Sequence, residues 1–117
     1  MIYLSSAKHP HLKLEVMGGS KWIMTDCLVD TGFSSGIAIP VKYESRMRSI
    51  SKWQQSFELA DGSTVTYELH KVTVKYKYVS KVVSAIFTQG SDALLGIEFL
   101  DGFRFLLDLK NNTVSLD

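Results

Sequence analysis

A carboxylate, a hydroxyl and a glycine stand side by side at Asp30-Thr31-Gly32. They follow the apolar run Cys27-Leu28-Val29 and precede Phe33-Ser34-Ser35-Gly36. A tight turn of this kind at a strand end pushes the carboxylate outward, and the glycine lets a backbone N–H come close to it. The chemistry on offer is acid–base: a positioned carboxylate can take a proton from a water that attacks a carbonyl. The same tripeptide also serves as an ordinary turn, in which Asp30 bonds only local N–H groups. The surrounding elements therefore decide what Asp30 does.

Those elements are mostly strands. Leu12, Leu14 and Val16 alternate with Lys13, Glu15 and Met17, Gly18-Gly19-Ser20 turns the chain, and Lys21 to Val29 returns. This predicts a β-hairpin whose second arm delivers Asp30. Ile37-Ala38-Ile39 reads as a short buried strand ended by Pro40, which then opens a helix of two or three turns. Tyr43, Met47 and Ile50 give that helix its apolar stripe. Ser56 to Leu59 and Thr64 to Leu69 flank Ala60-Asp61-Gly62-Ser63, a second hairpin signal. Val72 to Tyr78 alternates again and turns near Lys77 to Ser80 into Val82–Phe87. Asp92 is a candidate cap for the next element. Ala93 to Leu100 passes from strand through Gly96 into a short helix, and Phe103 to Leu116 closes as a hairpin around Lys110-Asn111-Asn112.

The chain has 117 residues, enough for one domain with a modest core. Hydrophobic residues make up 45% and charged residues 21%, a globular balance. A net charge of +1 gives no electrostatic case for nucleic acid or an acidic membrane surface. No apolar run reaches the length of a membrane span, and Met1-Ile2-Tyr3-Leu4 is too short for a signal peptide. One cysteine, Cys27, makes no internal disulfide, so a cytoplasmic setting is expected.

Other chemistry-bearing residues read as structural. His9-Pro10-His11 lacks a carboxylate or cysteine cluster in sequence, so no metal site is expected. Cys27 has no base placeable beside it and reads as a buried small hydrophobe. Lys71, Lys75, Lys77 and Lys81 read as the wet face of a sheet. Trp22 and Trp53 read as core or edge packing, with Trp53 also a candidate contact surface.

Four stretches together resemble the retropepsin-like aspartic proteases, in the small bacterial form with one Asp-Thr-Gly per chain. Leu28 to Gly36 is similar to the catalytic loop of that family, and Leu59-Ala60-Asp61-Gly62-Ser63 to its flap hairpin. Leu94-Leu95-Gly96-Ile97-Glu98-Phe99-Leu100 is similar to its apolar-apolar-Gly motif and following helix, and Phe103 to Leu116 to its closing hairpin. The resemblance covers about Leu12 to Leu116. The sequence departs from the viral members at Phe33, where they carry a small residue, in a flap with Gly62 alone, and in an insertion over Val41 to Gln55.

The resemblance implies an all-β fold: a closed barrel with one or two short helices and pseudo-two-fold halves, Asp30-Thr31-Gly32 in one and Leu94-Leu95-Gly96 in the other. It implies an aspartic endopeptidase whose partners are a polypeptide substrate and a second copy of itself. Two carboxylates about 3 Å apart share one proton and titrate as a unit, so each copy would bring Asp30 to an isologous interface. Thr31 would fix the loop across the axis and Gly32 would bond the carboxylate. Leu95 and Gly96 would pack beside the loop. Ala60, Asp61, Gly62 and Ser63 would close over an extended peptide, with Ile37, Leu59, Val65 and Ile97 lining pockets for its side chains. No cofactor, nucleic acid or membrane enters this expectation. The alternative on the same fold is a catalytically silent peptide-binding or dimerisation module.

Overall fold

Leu12, Leu14 and Val16 alternate because they point into a barrel. In the computed structural model, which describes residues 1–47 and 52–117, they lie buried on strand β2 (Pro10–Gly18). Strand β1 (Ile2–Leu4) runs antiparallel along β2; sequence reading did not mark it. β3 (Lys21–Val29) pairs with β2 from Gly18↔Lys21 to His11↔Leu28, so a two-residue Gly19-Ser20 loop makes the turn.

β4 (Ile37–Pro40) is buried throughout. The segment after it is a 3₁₀ helix, Val41–Arg46, and not the expected α-helix. A 3₁₀ turn has three residues per turn, so a stripe at 3.6-residue spacing does not stay on one face. Tyr43 and Met47 still pack against the core, and Met47 bridges to Gly18. Ile50 lies outside the described residues.

β5 (Lys52–Glu58) and β6 (Thr64–Tyr76) form the second hairpin, and β7 (Val79–Thr88) follows after the Lys77-Tyr78 turn. Lys77 sits there at φ +53°. The two strands expected at Thr64–Leu69 and Val72–Tyr78 are one 13-residue strand. β8 (Ala93–Leu95) leads through Gly96 into helix α1 (Ile97–Leu100). Gly96 is the N-cap residue, with no side-chain cap, so Asp92 does not play that part. β9 (Phe105–Asp108) and β10 (Thr113–Leu116) form a separate two-stranded hairpin. Its turn is held by Asp108, which accepts from the Lys110 and Asn111 backbone N–H groups and the Asn111 side chain at 3.0, 3.1 and 2.7 Å.

The protein is thus mostly β, with a closed six-stranded barrel and only short helices. The barrel runs β2-β3-β8-β4-β7-β6 and returns to β2 through Glu15↔Lys75 and Val16↔Val74. β3 and β8 are parallel, as are β4 and β7; the remaining neighbours are antiparallel. Closure removes the barrel's own edges, and β1 and β5 lie outside it as flanking strands. Phe99, Leu12, Ile37, Ile39 and Leu95 are among the largest fully buried side chains. Each stabilises the fold by about 1.5–3 kcal/mol relative to exposure. Cys27 is buried among them, and burial pushes its thiol up to about 12.

Candidate functional site

β3 and β8 lie side by side in register up to Val29↔Leu95, and both chains leave the barrel at that point. Asp30 follows β3 directly. Its N–H donates to the Leu95 carbonyl at 2.9 Å, so the start of the loop is pinned to the end of β8. Phe33 N–H then donates to the Asp30 carbonyl at 3.1 Å, which closes a tight turn. Inside it, Gly32 N–H donates to Asp30 Oδ1 at 3.0 Å. The carboxylate is half-buried, and Thr31 and Gly32 are exposed. Asp30, Thr31 and Gly32 thus form one tight turn at the end of β3, and its Gly32–carboxylate bond is one that an ordinary Asx turn also makes.

The far end of the loop is tied down as firmly. Gly36 N–H and Ser35 Oγ both donate to the Ser84 carbonyl, at 3.1 and 3.2 Å. Gly96 crosses directly beneath: its N–H donates to Gly36 O at 2.8 Å, and Ile97 N–H donates to Phe33 O at 2.8 Å. A Cβ built on Gly96 would lie 2.0 Å from Ser35 O and 2.6 Å from Phe33 O, so only glycine fits. Glu98 N–H donates to Ser35 O at 3.3 Å, and Glu98 Oε1 accepts the Ser84 N–H at 2.6 Å. Ser35, Ser84 and Glu98 were not singled out in the sequence; no spacing rule links residues 35, 84 and 98.

The β5–β6 hairpin carries Leu59, Ala60, Asp61, Gly62 and Ser63 at its tip, all exposed. Gly62 takes φ +86°, open to glycine at no steric cost. Ser63 donates to Asp61 Oδ1 from its hydroxyl at 2.5 Å and its backbone N–H at 2.9 Å. These bonds hold the Asp61 carboxyl below its ordinary range. Aromatic rings connect hairpin and loop. Phe33 lies 6.1 Å from Phe57 on β5, and Phe57 lies 6.1 Å edge-on to Tyr67 on β6. With Leu94 they cover a small second core of Ala38, Leu69 and Ile86.

The expected pocket residues divide. Ile97 is 46% exposed and lines, with Thr31, Glu98, Leu100, Phe103 and Phe105, a groove of about 480 Å³. Leu59 is half exposed at the hairpin tip, and Val65 is half-buried below it. Ile37 is the correction. It is fully buried in the barrel core, so its side chain presents no surface to a peptide in this chain. Both its neighbours, β7 and β8, enclose it.

Other sequence candidates fall into structural roles. His11 Nδ1 lies 3.2 Å from Asp26 Oδ1, whose other oxygen accepts from Tyr3 OH at 2.5 Å; His9 is exposed. Lys71 lies over Trp53 and Lys75 over Trp22, as expected of a wet sheet face with edge tryptophans. Lys81 departs from that face. It donates to the Phe99 carbonyl at 2.9 Å and to the Asp101 carbonyl, and lies over the Phe99 and Phe103 rings. One group unmarked in the sequence, Glu44, Glu68 and His70, places three ligand-type atoms within 4.8 Å of one another. His70 Nε2 is 3.2 Å from Glu68 Oε1, and its ring is packed edge-on against Phe87.

No family model matches the chain, and no curated protein matches it. Among the described residues, no helix is long and apolar enough to cross a membrane.

Proposed function

We propose that this protein is an aspartic endopeptidase of the retropepsin-like kind, active as a homodimer in which each copy supplies Asp30. The observation that carries the reading is the Asp30 loop. A carboxylate leaves the barrel at the end of β3, accepts the Gly32 N–H, and is held at both ends of its loop by backbone bonds to β8 and β7. The exposure of Thr31, and the groove it shares with Ile97 and Glu98, support a face on which a second copy completes the site. The β5–β6 hairpin, linked to the loop through Phe33 and Phe57, supports a cover over an extended peptide.

The mechanism follows from one carboxylate per chain. Across a two-fold axis the two Asp30 groups share a single proton. The ionised one takes a proton from water, which attacks the peptide carbonyl; the protonated one donates to the carbonyl oxygen as it becomes a tetrahedral alcohol. The amide nitrogen then takes the proton that the first Asp30 gained from water, the second Asp30 takes a proton back from one hydroxyl of the intermediate, and the C–N bond breaks to leave a carboxylic acid and an amine. The hairpin's backbone holds the substrate as an added strand, which leaves alternate side chains to the pockets.

The test is cleavage of an unstructured peptide library by wild type and Asp30→Asn, across protein concentration and from about pH 4 to pH 7. Wild type cuts, with a rate that falls faster than linearly on dilution. Asp30→Asn folds and dimerises but loses on the order of 10²–10⁴-fold in rate. A confirmed wild-type dimer that cuts nothing refutes the reading. That outcome would favour the catalytically silent peptide-binding or dimerisation module.

A further inference from the structure

We propose that Glu98 is a positioning residue that sets the register of the Asp30 loop through Ser84, an inference that rests on the endopeptidase reading. Glu98 belongs to the first turn of α1 and is half-buried. A half-buried carboxylate on a four-residue helix has no obvious reason to point at a strand. Here Oε1 accepts the Ser84 N–H at 2.6 Å, a short charge-assisted bond. On β7, the Ser84 carbonyl lies on the same side of the strand as that N–H and receives both Gly36 N–H and Ser35 Oγ. The Glu98 backbone N–H returns to Ser35 O at 3.3 Å. The four contacts form a closed circuit: Glu98 to Ser84, Ser84 to Ser35 and Gly36, and Ser35 back to Glu98. Ser35 is 4% and Ser84 6% exposed, so water cannot readily replace these bonds.

The circuit matters to Asp30 because the loop has only two fixed ends. The first is Asp30 N–H on Leu95 O. The second is Ser35 and Gly36 on Ser84 O. Gly96 runs between them with no room to spare, so a shift of Ser35 is passed to Gly96 and Ile97, and through Ile97 N–H to Phe33 O. Phe33 in turn bonds the Asp30 carbonyl. Glu98 therefore acts on the carboxylate without touching it. A reacting group displaced by about 1 Å loses on the order of 10²-fold in rate, although binding of a long peptide is barely changed.

The proposal separates an acceptor role from a general structural one. Glu98→Gln keeps the oxygen that receives the Ser84 N–H; Glu98→Ala removes it. In the dimeric protein, Glu98→Ala is expected to lower kcat by about 10–100-fold at nearly constant KM, and Glu98→Gln to restore most of it. Native-state amide exchange is read alongside. It should rise at Ser84, Gly36 and Gly32 in Glu98→Ala and stay near wild type in Glu98→Gln. Wild-type kcat and wild-type exchange in Glu98→Ala overturn the proposal, as does an equal loss in both variants. If Glu98→Ala does not fold, Ser35→Ala opens the same circuit at one bond. It then carries the test: a lower kcat with faster Gly36 exchange supports the proposal, and no change in either overturns it. If the wild type cleaves nothing, the endopeptidase reading fails while the exchange pattern still decides whether Glu98 holds the loop.

Discussion

Replacing Gly96 by alanine tests the crossing on which the site is built. The backbone at Gly96 is ordinary for any residue, with φ −103° and ψ −178°, so conformational strain plays no part. Space does. The new Cβ would stand 2.0 Å from Ser35 O, 2.6 Å from Phe33 O and 2.7 Å from Phe33 Cδ2. Ordinary contact begins at 3.4 Å, so the Ser35 carbonyl must retreat by about 1.4 Å. Two of the three obstacles are backbone, with no rotamer to change. Overpacking of this kind costs about 1–3 kcal/mol. The displacement also strains the Gly96 N–H···Gly36 O and Ile97 N–H···Phe33 O bonds, at about 1 kcal/mol each. The expected loss is about 3–5 kcal/mol, a large share of a typical domain's 5–15 kcal/mol. Urea titration reads it: with a slope of about 1–3 kcal/mol per molar, the midpoint falls by roughly 1–5 M at unchanged slope. Gly19→Ala is the control, because its Cβ meets nothing within 4 Å, and it should stay within about 0.5 kcal/mol of wild type. A Gly96→Ala variant that loses less than about 1 kcal/mol would show that the loop does not cross residue 96 as described.

Two further outcomes follow from the groups whose protonation the fold controls. Burial pushes the Cys27 thiol up to about 12, so native protein at pH 8 should resist iodoacetamide and react only as fast as the whole domain unfolds; labelling at a free-thiol rate, followed by mass spectrometry, would contradict this. The Asn111 side chain holds the Asp108 carboxyl below the ordinary carboxylate range, and the Arg104 guanidinium does the same for Asp117. A depressed folded-state pKa adds stability that is present above the unfolded value and is lost as pH falls through the folded one. The melting temperature should therefore drop between pH 4 and pH 2, and the double variant Asp108→Asn/Asp117→Asn should drop less. Equal losses in the two proteins would refute the assignment.

Most of the strands were legible because alternation is a two-residue signal and survives any topology. Leu12-Leu14-Val16 and the Lys21–Val29 return were readable from a Gly-Gly-Ser turn, and the Asp61-Gly62 hairpin from its dipeptide. The 3₁₀ segment was not readable, because Tyr43 and Met47 suit an α-helical stripe whether or not the backbone takes one. The single strand β6 was divided in reading because Leu69 and His70 are both buried, which interrupts the alternation where the strand passes from hairpin to barrel. At the site, the Asp30 turn and Gly96 were visible as local motifs. Ile37 was misplaced because an apolar residue after a loop suits a pocket as well as a core, and only the β7–β4–β8 pairing tells them apart. The Ser35–Ser84–Glu98 circuit joins residues up to 63 positions apart in the chain, a pairing that only the fold can bring about.

The length of β6 has a mechanical consequence. The roughly 3.3 Å steps between successive residues of this 13-residue strand carry it about 40 Å from end to end, close to the 41 Å longest dimension of the molecule. One end of this beam is clamped in the barrel wall between β7 and β2, and the other carries the hairpin tip. No loop joins the two halves. A hairpin built on one continuous strand has no hinge within β6, so bending it means bending the strand. Bending the tip loads the same strand that packs Val72 and Val74 into the core, so under the proposed function admitting a peptide would strain the barrel itself.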